Sequence, residues 1–389
     1  MRLSRVSLPV LPLALFLALC ASSSRAHDAS SWGGLFRSRD YGATWFPANP
    51  GRFVSAAIAL AISPTDVNHL LLATDSGLLR SRNGGRDWNT EAPTVLVGPV
   101  FAAAFAADGQ RAIVSTGLSI FRSEAEDDWR QTPVPAGAVP ARAIVRGSEA
   151  GRVYLAGWTG LSRSDDWGAS WSLVTSGLPD GPATALAVAS GPPETVYVIV
   201  GGRIWASTNG GHTWLDRTAG IPRINIDVLA VDTNDPALAW AAGADQLFRS
   251  NDGGVRWQSV GRPLPEPNTT VRGIAATGNT IVLTTDRGLF RSADRGQRWD
   301  FLVENLPAHL EAGPLVRGPV DPATLYAGFA ITPYPELWRR VVEGTSALGR
   351  IDVTSLAGGV IFLMIVALGA VVALRRLGRY YRGNRKTLG

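Results

Sequence analysis

The stretch Ser250-Asn251-Asp252-Gly253-Gly254-Val255-Arg256-Trp257 has the form Ser-x-Asp-x-Gly-x-x-Trp, and its return along the chain decides the fold. Complete copies run from Ser38 through Asp40 and Gly42 to Trp45, from Ser164 through Asp166 to Trp171, and from Ser292 through Asp294 to Trp299. Two copies carry Asn in the Asp position, Asn83 before Trp88 and Asn209 before Trp214. One, Ser123 to Trp129, is degenerate and a residue short. The tryptophans at 45, 88, 129, 171, 214, 257 and 299 stand 41 to 43 residues apart. A fixed period of this size, with β-type sequence between the marks, predicts a propeller.

Each unit holds four short apolar segments. In the first whole unit these are residues 54–60, 69–74, 77–81 and 87–90, separated by Ser63-Pro64-Thr65-Asp66 and by Asn83-Gly84-Gly85. Residues 34–45 supply only the last part of a unit. Residues 314–316 and 324–327, with 336–339 as a further segment, supply the first part. Six whole units and one joined from both ends make an all-β, seven-bladed β-propeller with N/C-terminal blade closure, which removes the unpaired sheet edges. The period-2 alternation rules out a helical solenoid.

The signature reads as structural. Its glycine supplies positive φ to a tight turn, its Asp or Asn caps backbone N–H groups, and its Trp covers the turn. A catalytic Asp would not alternate with Asn, so Asp40, Asp166, Asp252 and Asp294 are assigned to the turns.

This signature resembles the Asp-box, or BNR repeat, of the sialidase-like propellers, over about residues 34 to 341. The resemblance implies a fold far more than an activity. The superfamily holds sialidases, xyloglucan-cleaving glycoside hydrolases, sortilin-type receptors, and the photosystem II assembly and stability factors, which are seven-bladed and non-enzymatic. In blade number, compactness and catalytic residues the chain is most similar in type to the last group. A sialidase site would need an arginine triad, a Tyr nucleophile with a Glu, and an acid/base Asp. Here Tyr41 lies inside a signature, and Tyr154, Tyr197 and Tyr326 share one position on the second strand. Apart from Tyr380 and Tyr381 near the end of the chain only Tyr334 is left, so no sialidase is expected; the chain is read as a non-enzyme, with a glycosidase kept as an alternative.

The ends carry a separate message. Residues 1–26 read as a signal peptide, with a basic start, an apolar run and Ser24-Arg25-Ala26 as cleavage site. Leu19 before Cys20 argues against lipidation. Residues 353–374 contain no charge and are followed by a basic tail, 375–389, which predicts a single transmembrane helix with its tail in the cytoplasm. Residues 27–345 would then form an ectodomain outside the cytoplasmic membrane, in type I topology. Three of the 37 basic residues lie in the leader and six in the tail, so 28 face all 32 acids, a net of −4 for the ectodomain. Nucleic acid is not an expected partner. No metal or cofactor is expected either: His27, His69, His212 and His309 show no paired spacing, and the only cysteine is Cys20.

Candidate binding residues fall on the face opposite the signatures. Arg52, Arg223 and Arg272 lead into innermost strands, with Trp158 beside them; Arg and Trp are favoured interface anchors. Asp75, Asp245 and Asp286 occupy equivalent places in the turn between second and third strands, where the plain reading is turn capping. The expectation is a membrane-anchored, non-catalytic scaffold for a protein partner, plausible in assembly or stability of a membrane complex. The alternatives are a carbohydrate-active ectodomain, glycan-binding or glycosidic, and a sortilin-like receptor.

Overall fold

Apolar residues at every second position, interrupted by the turns above, place the chain in seven four-stranded antiparallel sheets arranged as a propeller. The computed structural model describes residues 33–343 except 175, 192, 233, 234 and 236. The predicted signal segment, the span at 353–374 and the tail lie outside the described residues. Among the described residues no helix is long and apolar enough to cross a membrane.

Blade 1 shows the pattern from the axis outward: Ala57–Ile62, Leu70–Thr74, Gly77–Ser81 and Asn89–Glu91. The inner strand begins later than predicted because residues 54–56 link blades, with Ala56 bridged to Ala330. The outer strand also starts later: Trp88 is held back in its turn by Nε1, which donates to Ala48 O at 2.8 Å and Gly85 O at 3.2 Å.

Blade 7 is joined as expected. Glu311–Arg317 and Leu325–Ala330 are its inner strands, and Gly34–Ser38 and Phe46–Pro47 its outer ones. The seam pairs Gly34 with Phe329 and Ser38 with Leu325. Residues 336–339 correct the expectation, since they are helical, within α1 (Tyr334–Val342). Blade 7 already has four strands. Pro335 fits a first helical turn, Glu336 lies at the helix start, and Arg339 and Arg340 lie at its end, where they complement the macrodipole. The chain divides after Trp338; in the second unit, Arg339–Gly389, Arg339 pairs with Glu343 at 2.7 Å.

Apolar clusters fill the spaces between neighbouring blades. One gathers Tyr197, Ile226, Phe248 and Trp257. The three tyrosines of the second strands, Tyr154, Tyr197 and Tyr326, are all buried there.

In the signature turns the serine hydroxyl is the hub. Ser250 Oγ accepts the N–H of Gly254 at 2.8 Å and donates to Asp252 Oδ1 at 2.7 Å, and that oxygen accepts the N–H of Arg256 at 2.9 Å. Gly254 has φ +77°, open to glycine without strain. Asn209 does the same work, accepting from Thr213 N–H at 3.0 Å. Burial alone would raise Asp166, but the hydroxyl and N–H of Ser170 and the Ser164 hydroxyl outweigh it and hold the carboxyl at about 2. Turn and neighbour are tied together: Trp257 Nε1 donates to Arg217 O at 2.7 Å, and Trp299 Nε1 to Arg262 O at 3.0 Å.

Candidate binding site at the channel mouth

Each inner strand starts at the face opposite the signature turns, and in five of the seven blades it bulges there. Register shifts set Ile58, Phe101, Thr184, Arg272 and the Gly313-Pro314 pair outside the ladder. Arg142 and Asp227 hold the same position in blades 3 and 5; their N–H groups bond Ala156 O and Ala242 O, the carbonyls opposite the next residue. The seven positions form a ring at the mouth of the central channel, a cavity of about 810 Å³. A bulge re-aims its residue from the blade interface toward the axis, so the ring is free to vary in chemistry while the blades stay alike.

One side of the ring is aromatic and cationic. The Arg142 guanidinium lies 4.4 Å from the Trp158 ring and 5.4 Å from the Trp338 ring, and Trp338 packs on Phe101 at 4.3 Å. Burial lowers the pKa of Arg142. Arg142 Nε and Trp158 Nε1 are buried and have no hydrogen-bond partner among the described residues. Arg272 pairs with Glu311 at 3.0 Å and stands 5.4 Å from the Tyr334 ring.

α1 is anchored beside them. Tyr334 Oη donates to Ala57 O at 2.6 Å, and Glu311 accepts the Tyr334 N–H at 2.9 Å. Gly313 makes room for the phenol, since a Cβ there would fall 2.0 Å from Tyr334 Cζ. Full burial pushes the Tyr334 hydroxyl far above its ordinary range.

The opposite side of the mouth is open and polar, with Thr184, Asn225 and Asp227. Asp227 reaches water, yet the surrounding protein raises its carboxyl; Arg272 opposes the rise, and Asp286 and Asp245 add to it.

Of the residues singled out from sequence, Arg272 lines the mouth, and Trp158 lies behind it against Arg142 and Trp338, whose ring is 6.4 Å away. Arg52 turns outward to blade 1, where it donates to Trp88 O at 3.0 Å and to the Thr90 hydroxyl. Arg223 is exposed and makes no side-chain hydrogen bond or ion pair among the described residues. The aspartates hold the segments that lead into inner strands. Asp75 accepts the Ser55 hydroxyl at 2.5 Å, Asp245 accepts the N–H groups of Asn268 and Thr269, and Asp286 that of Thr270 at 3.0 Å. The tight turns of Asp75 and Asp286 are themselves capped by the preceding threonines, Thr74 and Thr285. Arg142, Asp227, Phe101 and Trp338 were missed. For the first three, aligning every unit on the residue that Arg272 occupies would have found them.

No family model matches the chain, and no curated protein does. Solved structures match it in fold. YCF48 from Cyanidioschyzon merolae is 13% identical with a TM-score of 0.54, covering 73% of this chain and 97% of that one. YCF48 bound to D1 peptide is 15% identical with a TM-score of 0.54, covering 73% and 94%. The extracellular domain of the hybrid two-component system BT4673 from B. thetaiotaomicron is 12% identical with a TM-score of 0.55, covering 72% of this chain and 38% of that chain. Identities this low establish a shared seven-bladed fold and nothing finer.

Proposed function

We propose that this chain is a membrane-tethered, non-catalytic propeller whose channel mouth binds a segment of a protein partner, in the assembly or stability of a membrane complex. The observation that carries this reading is the Arg142, Trp158 and Trp338 stack, with two buried donors awaiting an acceptor. Rigid aromatic and guanidinium groups in a partly desolvated recess are the usual anchors of a protein interface. That YCF48, of like fold, has been seen with a D1 peptide supports a peptide-sized occupant. The sequence of the ends supports a tether at 353–374 with the propeller outside the cytoplasm.

The test is a crosslinked pull-down of the full chain from membranes of its own cell, beside an Arg142→Ala, Trp158→Ala variant. A defined membrane complex recovered by the wild type and lost by the variant supports the reading. Equal recovery by both, or none by either, overturns it.

Asp227 favours a second reading, a carbohydrate-active site. A carboxyl raised by its surroundings, and within electrostatic reach of Asp286 and Asp245, lines a mouth that also holds Phe101 and Trp338. Hydrolysis of a polysaccharide that Asp227→Asn abolishes would establish this reading in place of the first.

A further inference from the structure

Single exposed apolar residues are ordinary on a protein surface, but their confinement to one sector is not. On the mouth face the exposed large apolar side chains are Phe53, Val95, Val97, Leu118, Val303 and Ile331, with Val97 70% and Leu118 84% exposed. All lie in links and turns of blades 7, 1 and 2, counting the link into blade 7. In the same sector the link 92–99, the turn 117–119 and the segment 331–335 contain no charged residue. The links and turns of blades 3 to 6 carry most of the charges of this face, among them Arg223, Asp227, Asp245, Arg262, Glu266 and Arg287, whereas the apolar sector holds Arg52 and Asp75, both bonded within the protein, and the exposed Glu304. The exposed large apolar side chains of the mouth face therefore lie in one sector and most of its charges in the other.

The chain leaves the propeller over the apolar sector. Ile331 N–H donates to Ser55 O at 2.8 Å, Tyr334 Oη bonds Ala57 O, and Trp338 lies on Phe101. Residues 339–352 then lead to the uncharged stretch 353–374, a reach of at most about 50 Å even fully extended.

We infer that the apolar sector of blades 7, 1 and 2 rests on the surface of the lipid bilayer; the inference depends on the proposed tether at 353–374. Uncharged loops lose no ion hydration at the headgroup boundary, and their apolar tips gain by leaving water. A tether that starts in this sector keeps it close to the bilayer, so a shallow contact suffices. The charged sector then stays in water at the membrane's edge, and a partner reaches the mouth along the membrane plane.

The experiment uses the full chain in a Cys20→Ser background, reconstituted in phosphatidylcholine and phosphatidylglycerol vesicles that contain a nitroxide-labelled lipid. One fluorophore is attached through Leu118→Cys and, in a second variant, through Val255→Cys, an exposed position on the signature face. The inference expects quenching several-fold greater at position 118 than at 255. Chains that stay with the vesicles after a high-salt wash but show equal quenching, or more at 255, overturn the inference and leave the tether standing. Chains that wash off the vesicles overturn both.

Discussion

Asp and Asn exchange freely in the signature turns because the turn asks only for an acceptor. Asp252 and Asn209 each offer one side-chain oxygen to the N–H four residues on. Asp252→Asn should therefore lower the unfolding free energy from a urea titration by less than about 0.5 kcal/mol, while Asp252→Ala costs about 1 kcal/mol. Ser250→Ala should cost more, about 1 to 3 kcal/mol, because it strands the buried Gly254 N–H. If the Asn variant is as damaged as the Ala variant, the carboxylate has a further role. Gly313 is the other residue with a sharp demand. Gly313→Ala drives a methyl into the Tyr334 ring and should cost a few kcal/mol, whereas Tyr334→Phe, which loses one hydrogen bond, costs about 1 kcal/mol. Comparable losses in denaturant titrations would mean that α1 moves aside easily.

At the scale of elements, the joint between blades 1 and 2 stands apart. Blade 2 carries the degenerate signature, and its Trp129 donates to Glu91 Oε1 at 2.8 Å rather than to a backbone carbonyl. Glu91 is held by Arg80 at 2.6 and 2.7 Å, and Arg80 donates to His69 Nε2 at 2.6 Å, with all three side chains buried. The ion pair takes over the fastening that the turn lacks. Glu91→Ala leaves the buried Arg80 guanidinium with only the longer, half-exposed contact to Glu126 at 3.8 Å and should cost about 3 kcal/mol. Burial, with Arg82 and Arg80 beside it, lowers His69 to about 4, against the partial opposition of Asp66 and Glu126. A base with a depressed folded pKa binds its proton more readily unfolded. Its contribution is thus whole above about pH 6.5 and is lost as pH falls from there toward 4, up to about 3 kcal/mol. Below that window the lowered carboxylates, Glu91 among them, lose their contribution as well. Unfolding free energy measured from pH 7.5 to 4.5 should fall in wild type and flatten in His69→Phe; parallel slopes would remove His69 as the cause.

For the whole molecule, closure depends on a seam between distant segments. Gly34–Ser38 pairs with Leu325–Ala330 along five residues, and without it blade 7 exposes a strand edge beside an unfilled core. Deleting residues through Pro47 should abolish cooperative thermal unfolding and yield aggregates, checked by calorimetry and light scattering. A soluble, cooperatively folded product would show that six blades and a remnant close by themselves.

The seven-bladed architecture and its seam were legible in sequence because the period, the turn residues and the strand alternation are local and repeat. α1 was not: residues 336–339 are two apolar residues between two charges, too short a run to separate strand from helix, and only a blade already filled by four strands leaves them to coil after Pro335. The mouth was half legible. Arg272 and Trp158 stand out as residue types, whereas Arg52 looks the same in sequence and is spent on the outer strand of its blade. Which arginine faces the axis is decided by a one-residue bulge, and a bulge reverses the side a residue faces without leaving a mark in composition. By itself the sequence determined the repeat, the blade count and the turn chemistry, since each rests on contacts within about four residues. Only the tertiary structure decided the ring at the channel mouth and the place of Tyr334 and Trp338 beside it, because those groups meet from blades far apart in the chain.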